Sequence, residues 1–251
     1  MCGSCGCNPE SVEEVHEHSL KGAEQGADIE ISVLEDILQS NDHCAHANQT
    51  VFDSKGILAF NLMSSPGAGK TRLLELTADK LGATKMAVVE GDMETENDAE
   101  RLRFKGVQAY QITTGMACHL SAAMVEHAIG ALDLAQPDYL FIENVGNLIC
   151  PANFALGQHA NVVLLAVTEG DDKPQKYPVI FHAADLVLIT KSDLLPVLDD
   201  FDVERARANI RQIQPDAEII VVSARSGEGI PEWLDWVRNY QTERAEDVSG
   251  D

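Results

Sequence analysis

The sequence predicts an α/β fold built on a mostly parallel, doubly wound sheet, and three observations predict it. Short apolar runs alternate with longer amphipathic stretches along most of the chain, the rhythm that βαβ units produce. One apolar run leads straight into a loop rich in glycine that opens a helix, Ser64-Ser65-Pro66-Gly67-Ala68-Gly69-Lys70-Thr71. The length of 251 residues suits one α/β domain with an extension.

Each segment follows from its pattern. Residues 1–27 are polar and acidic with no apolar period, so a flexible tail is expected there, one that binds metal through its cysteines. In residues 28–54, Ile31, Val33, Leu34, Ile37 and Leu38 recur at helical spacing, which predicts a short helix near 29–38 followed by a polar connection. Strands are expected near 57–63, 86–90, 107–111, 138–142, 161–167, 186–190 and 218–222, with helices between them, inside a nucleotide domain spanning 55–240. The last helix is expected from Pro231 through Trp233 and Trp236 to about Tyr240, leaving 241–251 as a disordered end.

Bulk properties narrow the function. A formal net charge of −23 excludes nucleic acid as the main partner, because phosphate neutralisation needs a basic surface. The longest apolar run, near 162–167, is far too short for a spanning helix. The amino-terminal residues lack the basic and apolar regions of a secretory leader, so the expected location is cytoplasmic. In that reducing setting the six cysteines read as metal ligands or buried thiols rather than disulfides.

The loop after the first strand carries the P-loop pattern of nucleotide triphosphatases, with Ser64 at the position where glycine is usual. Ser65, Pro66, Gly67, Ala68, Gly69 and Arg72 are expected around the nucleotide, with the loop's backbone N–H groups pointing inward to cradle phosphates. Lys70 would neutralise the β- and γ-phosphates and the Thr71 hydroxyl would bind Mg²⁺. Later, Thr190-Lys191-Ser192-Asp193 and Ser223-Ala224-Arg225 each follow a strand and resemble the guanine-recognition elements of GTPases. The Asp193 carboxylate would accept from guanine N1 and N2, and the Lys191 stem would cover the ring. Thr190 and Arg225 depart from the common pattern, and the Asn that usually braces the phosphate loop is missing.

Two acids close strands. Asp92 ends Val88-Val89-Glu90-Gly91-Asp92, and Glu143 precedes Asn144-Val145-Gly146. Such strand ends face the ligand crevice, where either carboxylate would hold Mg²⁺ or, alternatively, cap the next helix. The Gly146 N–H is in place to sense the γ-phosphate.

Cys2, Cys5 and Cys7 lie within the first seven residues, separated by glycine and serine. They would encircle one soft divalent ion, planar for Ni²⁺ or tetrahedral for Zn²⁺. Cys118-His119, expected at a helix start, and Cys150-Pro151 would form a second, partial site if their segments meet, one that another subunit completes; buried structural thiols are the alternative. Cys44 with His43 and His46 reads as a solvated group in the polar connection.

The Cys-x-x-Cys-Gly-Cys start, the P-loop, Cys118-His119 and Glu143-Asn144-Val145-Gly146-Asn147-Leu148-Ile149-Cys150-Pro151 occur in this order. The chain thereby resembles the HypB family of hydrogenase maturation proteins over essentially its full length. The resemblance implies slow GTP hydrolysis with Mg²⁺ and high-affinity nickel at Cys2, Cys5 and Cys7. It also implies a weaker nickel or zinc site at Cys118, His119 and Cys150. Implied partners are a second copy of the chain under GTP control, a HypA-type nickel/zinc partner and the hydrogenase large subunit precursor. Glu169-Gly170-Asp171-Asp172-Lys173-Pro174 also looks like the family, with Lys173 toward nucleotide or the other subunit. The rival readings are a urease-type metal-delivery GTPase and a nickel-storage protein with a vestigial nucleotide site.

Overall fold

The architecture is that of a computed structural model, which describes residues 36–93 and 96–249, with side chains as far as Tyr240. Cys2, Cys5 and Cys7 lie outside the described residues. The first described helix, α1, covers 36–55, so the polar connection expected after residue 38 is helical instead. The reason lies in spacing the sequence reading passed over. Ala45, Asn48 and Phe52 recur at helical intervals and are all buried. The Asn48 amide donates to the carbonyls of Ala122 at 2.9 Å and Leu156 at 3.0 Å, which fixes this helix where an apolar count alone sees only polarity.

Seven strands follow: β1 Leu58–Ser64, β2 Met86–Asp92, β3 Gln108–Thr113, β4 Tyr139–Glu143, β5 Ala160–Ala166, β6 Leu186–Thr190 and β7 Glu218–Val221. All pairings are parallel, in the order β3-β2-β4-β1-β5-β6-β7. The helices between them are α2 Lys70–Leu81, α3 Asn97–Phe104, α4 Ala122–Ile129, the short α5 Lys173–Lys176 and α6 Pro178–His182, α7 Val203–Ile213 and α8 Ile230–Ser249. Strands covered on both faces have to be apolar almost throughout, and β1 is buried at every position.

Alternation along β1 separates the cores. Leu58, Phe60 and Leu62 face α2 and α8, where Trp233 is fully buried. Ala59 and Met63 face the opposite side, in the cores built by α4 and by α6 with α7. The Trp233 indole N–H donates to the Thr77 hydroxyl at 2.9 Å, so α8 is pinned to α2 by a polar contact inside an aromatic cluster. α8 continues to Ser249 rather than ending near Tyr240. Glu243, Arg244, Ala245 and Glu246 are good helix formers, and the first breaker is Gly250. Among the described residues no helix is long and apolar enough to cross a membrane.

This strand order positions the site. β1 leads toward β2 on one side, while β4 crosses over β1 to reach β5. The connections therefore diverge at the carboxyl ends of β1 and β4, the crevice where open α/β sheets bind ligands.

Candidate functional site

The chain leaves β1 at Ser64 and turns through Gly67 (φ 75°) and Gly69 (φ 101°) into α2. Side chains with a Cβ rarely adopt these angles, so the two glycines bend the loop around the amino end of α2. Gly69 caps that helix with no side-chain bond, which leaves the first N–H groups available to an anion, and Lys70, Thr71 and Arg72 line a cavity there. Lys70 and Thr71 are buried at the helix start. The Lys70 ammonium donates to the Ser64 hydroxyl at 3.0 Å, and the Thr71 hydroxyl donates to Glu143 Oε1 at 2.9 Å.

The loop is braced from behind at both ends. The Thr190 hydroxyl donates to the Ala68 carbonyl at 2.8 Å, which corrects the expectation that losing the usual Asn leaves the loop unbraced. At the other end the Ser65 hydroxyl donates to Glu169 Oε2 at 2.5 Å. The sequence reading assigned Glu169 no role.

A cavity of about 320 Å³ opens between Ala68, Gly69 and Leu73 on one wall and Lys191, Asp193 and Arg225 on the other. Lys191 holds φ 61°, the only positive φ at a non-glycine among the described residues, as a sharp strand exit requires. Ser223 is fully buried and donates its hydroxyl to Asp193 Oδ1 at 2.6 Å, while the Arg225 guanidinium stands 3.8 Å from Oδ2. The structure thus brings together Lys191, Asp193, Ser223, Ala224 and Arg225. The Asp193 carboxylate is oriented by its neighbours rather than left as a solvated strand end.

A second cavity of about 400 Å³ continues past Pro66 and Gly67. Asp92, Glu143 and Gly146 line it, and so do Glu90 and Asp98, which the sequence reading missed. Glu90 on β2 pairs in register with Glu143 on β4, and carboxylate oxygens of Glu90, Asp98 and Glu143 lie within 4.8 Å of one another. Burial, reinforced by the Glu143 charge, pushes Glu90 up to about 8. Burial likewise pushes Glu143 up to about 7 against the opposing charge of Lys70. Glu90 Oε2 and Glu143 Oε2 are buried with no hydrogen-bond partner, a donor set that fits a hard divalent cation.

The capping alternative fails for both strand-end acids. Asp92 Oδ1 accepts from the next residue's own N–H, and α3 starts only at Asn97 with Glu96 before it; Glu143 is taken by Thr71. Gly146 abuts the phosphate loop so closely that a Cβ there would meet Pro66 Cα at 2.8 Å.

Cys118, His119 and Cys150 do meet. Their ligand atoms lie within 4.8 Å of one another, with the two sulfurs 2.7 Å apart and Cys118 Sγ 3.8 Å from His119 Nδ1. Contrary to the expectation from sequence, Cys118-His119 does not open a helix. α4 begins at Ala122, capped by the Ser121 hydroxyl accepting from Met124 N–H, so Cys118 and His119 belong to the loop before it. The His119 ring stacks on Phe154 at 3.9 Å between centroids. Burial lowers its pKa and so favours the neutral imidazole that ligates metals. The hydrogen bond with Cys118 pushes the Cys150 thiol up. Three half-buried ligands of this kind leave a soft or borderline ion with coordination positions still to fill. Among the described residues Cys44, His43 and His46 join no such cluster.

Comparisons with known proteins bear on this arrangement. The chain matches the family described as CobW/HypB/UreG, nucleotide-binding domain, over residues 58–221. It is 53% identical over 215 residues to the hydrogenase maturation factor HypB of Azotobacter vinelandii, covering 85% of this chain and 71% of that protein. Against the HypB of Escherichia coli K12 it is 48% identical over 221 residues, covering 88% and 75%. The crystal structure of HypB from Helicobacter pylori in complex with nickel superposes with a TM-score of 0.79 at 42% identity, covering 82% of this chain and 96% of that one. With likeness of this order over sequence and fold alike, the chain belongs to the HypB family of hydrogenase maturation factors.

Proposed function

We propose that this chain binds and slowly hydrolyses GTP and uses the nucleotide state to control nickel held at Cys118, His119 and Cys150, for delivery to a hydrogenase large subunit precursor. The observation that carries this reading is the short segment after β4. Glu143 bonds Thr71, Gly146 abuts Pro66, and Cys150 touches Cys118. One stretch of backbone thus connects the phosphate loop to the thiols.

In this reading Asp193 selects guanine, Lys191 covers the ring, and Ser223, Ala224 and Arg225 hold Asp193 in place. The loop from Ser65 to Arg72 wraps the phosphates, and Lys70 offsets their charge. Thr71, Glu143, Glu90 and Asp92 would hold Mg²⁺, and the ion would supply charge neutralisation at the phosphates. Gly146 responds to the γ-phosphate because its contact with Pro66 leaves no room for independent movement.

The domain spanning 55–240 would carry this machinery, while the tail of residues 1–27 would hold a second nickel ion at Cys2, Cys5 and Cys7. Three ligands at Cys118, His119 and Cys150 suit completion by a second copy of the chain in a dimer under GTP control, with Zn²⁺ as the competing ion. A HypA-type partner would exchange nickel with either site. The reading is tested by nickel titration with GDP and with a non-hydrolysable GTP analogue. Coupling requires affinities differing on the order of tenfold; equal values end it. The Lys70→Ala variant should lose hydrogenase maturation in cells, and full retention would leave the vestigial-site alternative standing.

One observation favours a second client. A relative of 41% identity, from Helicobacter pylori strain J99 and covering 92% of this chain, is named a hydrogenase/urease maturation factor. Restoring urease as well as hydrogenase activity in strains that lack the corresponding factor would assign both clients to this chain.

A further inference from the structure

We infer that Glu169 is a positioning residue of the phosphate loop, acting through the Ser65 hydroxyl on the half of the loop that faces the terminal phosphate; the inference rests on the GTP reading. The two cavities orient the loop. Ala68 lines the one toward Asp193, Pro66 and Gly67 line the one toward Glu143, and Gly69 lies between them, lining both. A nucleotide with its base against Asp193 therefore runs its phosphates toward Pro66, and Ser65–Pro66 is the end furthest from the base. Thr190 braces the base end through Ala68, and Glu169 braces the far end through Ser65.

Glu169 is itself fixed from both sides. Its other carboxylate oxygen accepts the Ala166 N–H at 3.2 Å at the end of β5, the strand beside β1. Two residues on, the buried Asp171 accepts from the Asp202 N–H at 2.8 Å and from the Arg205 guanidinium at 2.5 Å, and its carbonyl accepts from Asn209 at 2.9 Å. The turn carrying Glu169 is therefore anchored to α7, and a carboxylate held that firmly makes a rigid stop for a hydroxyl. Because Ser65 stands next to Pro66, on which Gly146 rests, the stop sets the surface against which the 143–150 segment settles when a γ-phosphate is bound.

The test uses the full chain and fluorescent nucleotides, with Glu169→Ala, Ser65→Ala, the double variant and Glu169→Gln. Losing one hydrogen bond to a charged group corresponds to about a tenfold change in affinity. Each single alanine variant should weaken the GTP analogue by about that factor and GDP by less than about threefold. The double variant should lose no more than Glu169→Ala alone, since both remove one contact. Glu169→Gln should stay within about threefold of the parent, because an amide still accepts from Ala166 and donates to Ser65.

Additive losses, equal losses for GDP and the analogue, or a Glu169→Gln variant as weak as Glu169→Ala would each overturn the inference. If Glu169→Ala fails to fold, Ser65→Ala reads the same contact while removing one hydroxyl and no packing. A parent that binds no guanine nucleotide sinks the GTP reading and this inference together. A binding parent with an unaffected Glu169→Ala variant sinks this inference alone.

Discussion

Thr190 and Gly146 show how much a single small side chain decides here. The Thr190 hydroxyl satisfies the Ala68 carbonyl inside the phosphate loop. Thr190→Val keeps the volume and leaves that carbonyl unpaired, at a cost of about 1–3 kcal/mol. Nucleotide affinity should fall about tenfold, read by titration, with little change in the cavity beside Asp193. Gly146→Ala drives a methyl into the Pro66 backbone, so the variant should bind GDP but lose the difference in nickel affinity between the two nucleotide states. Lys70, Thr71 and Asp193 were legible from sequence because local spacing encodes them: a glycine pair before a lysine, a carboxylate three residues past a strand. Glu90 was not, since a carboxylate inside an apolar strand gains meaning only when β4 pairs beside β2 and brings Glu143 into register. Glu169 needs β5 beside β1 in the same way.

Elements were legible where both faces are buried. The strands lie within a few residues of expectation because a parallel sheet demands continuous apolar runs, and such runs are visible in one dimension. Helix ends were less so. α1 is held through Asn48, α4 starts three residues after Cys118-His119, and α8 extends past Tyr240; none of these follows from an apolar period. α8 itself is a clamp: Trp233 is fully buried, and Trp236 and Tyr240 stand 5.6 and 5.7 Å from the Phe60 ring. Trp233→Phe keeps much of the apolar volume but removes the donor to Thr77, so a loss of about 1–3 kcal/mol is expected. Urea unfolding measures it, and an unchanged midpoint would mean that the polar pin contributes nothing.

At the scale of the molecule, stability is tied to pH through the buried acids beside the Pro66–Thr71 loop. Glu90 and Glu143 are raised from 4.5 to about 8 and about 7, so the native state keeps protons that the unfolded chain has already released. Native stability without nucleotide or metal should therefore fall as pH rises from about 4.5 to about 8. Melting temperature against pH tests this, and Glu90→Gln should flatten the slope. Glu75 and Asp171 act in the opposite sense. Burial alone would raise them, but arginine hydrogen bonds outweigh it and pull them down, so their contribution is present above the ordinary carboxylate range and fades in acid. The fold class was readable because strand and helix patterns alternate. The strand order was not, because nothing local says that β4 inserts between β1 and β2. Beyond β4, only residues 147–149 separate Gly146 from Cys150, and Asn147 ties that stretch down by donating to the Cys118 carbonyl and accepting from the Ile149 N–H. In the proposed coupling, a tether so short has little slack to absorb a displacement; splicing a single flexible glycine into it should uncouple the two ends, read as equal nickel affinity with GDP and with the GTP analogue, while each end keeps its own ligand.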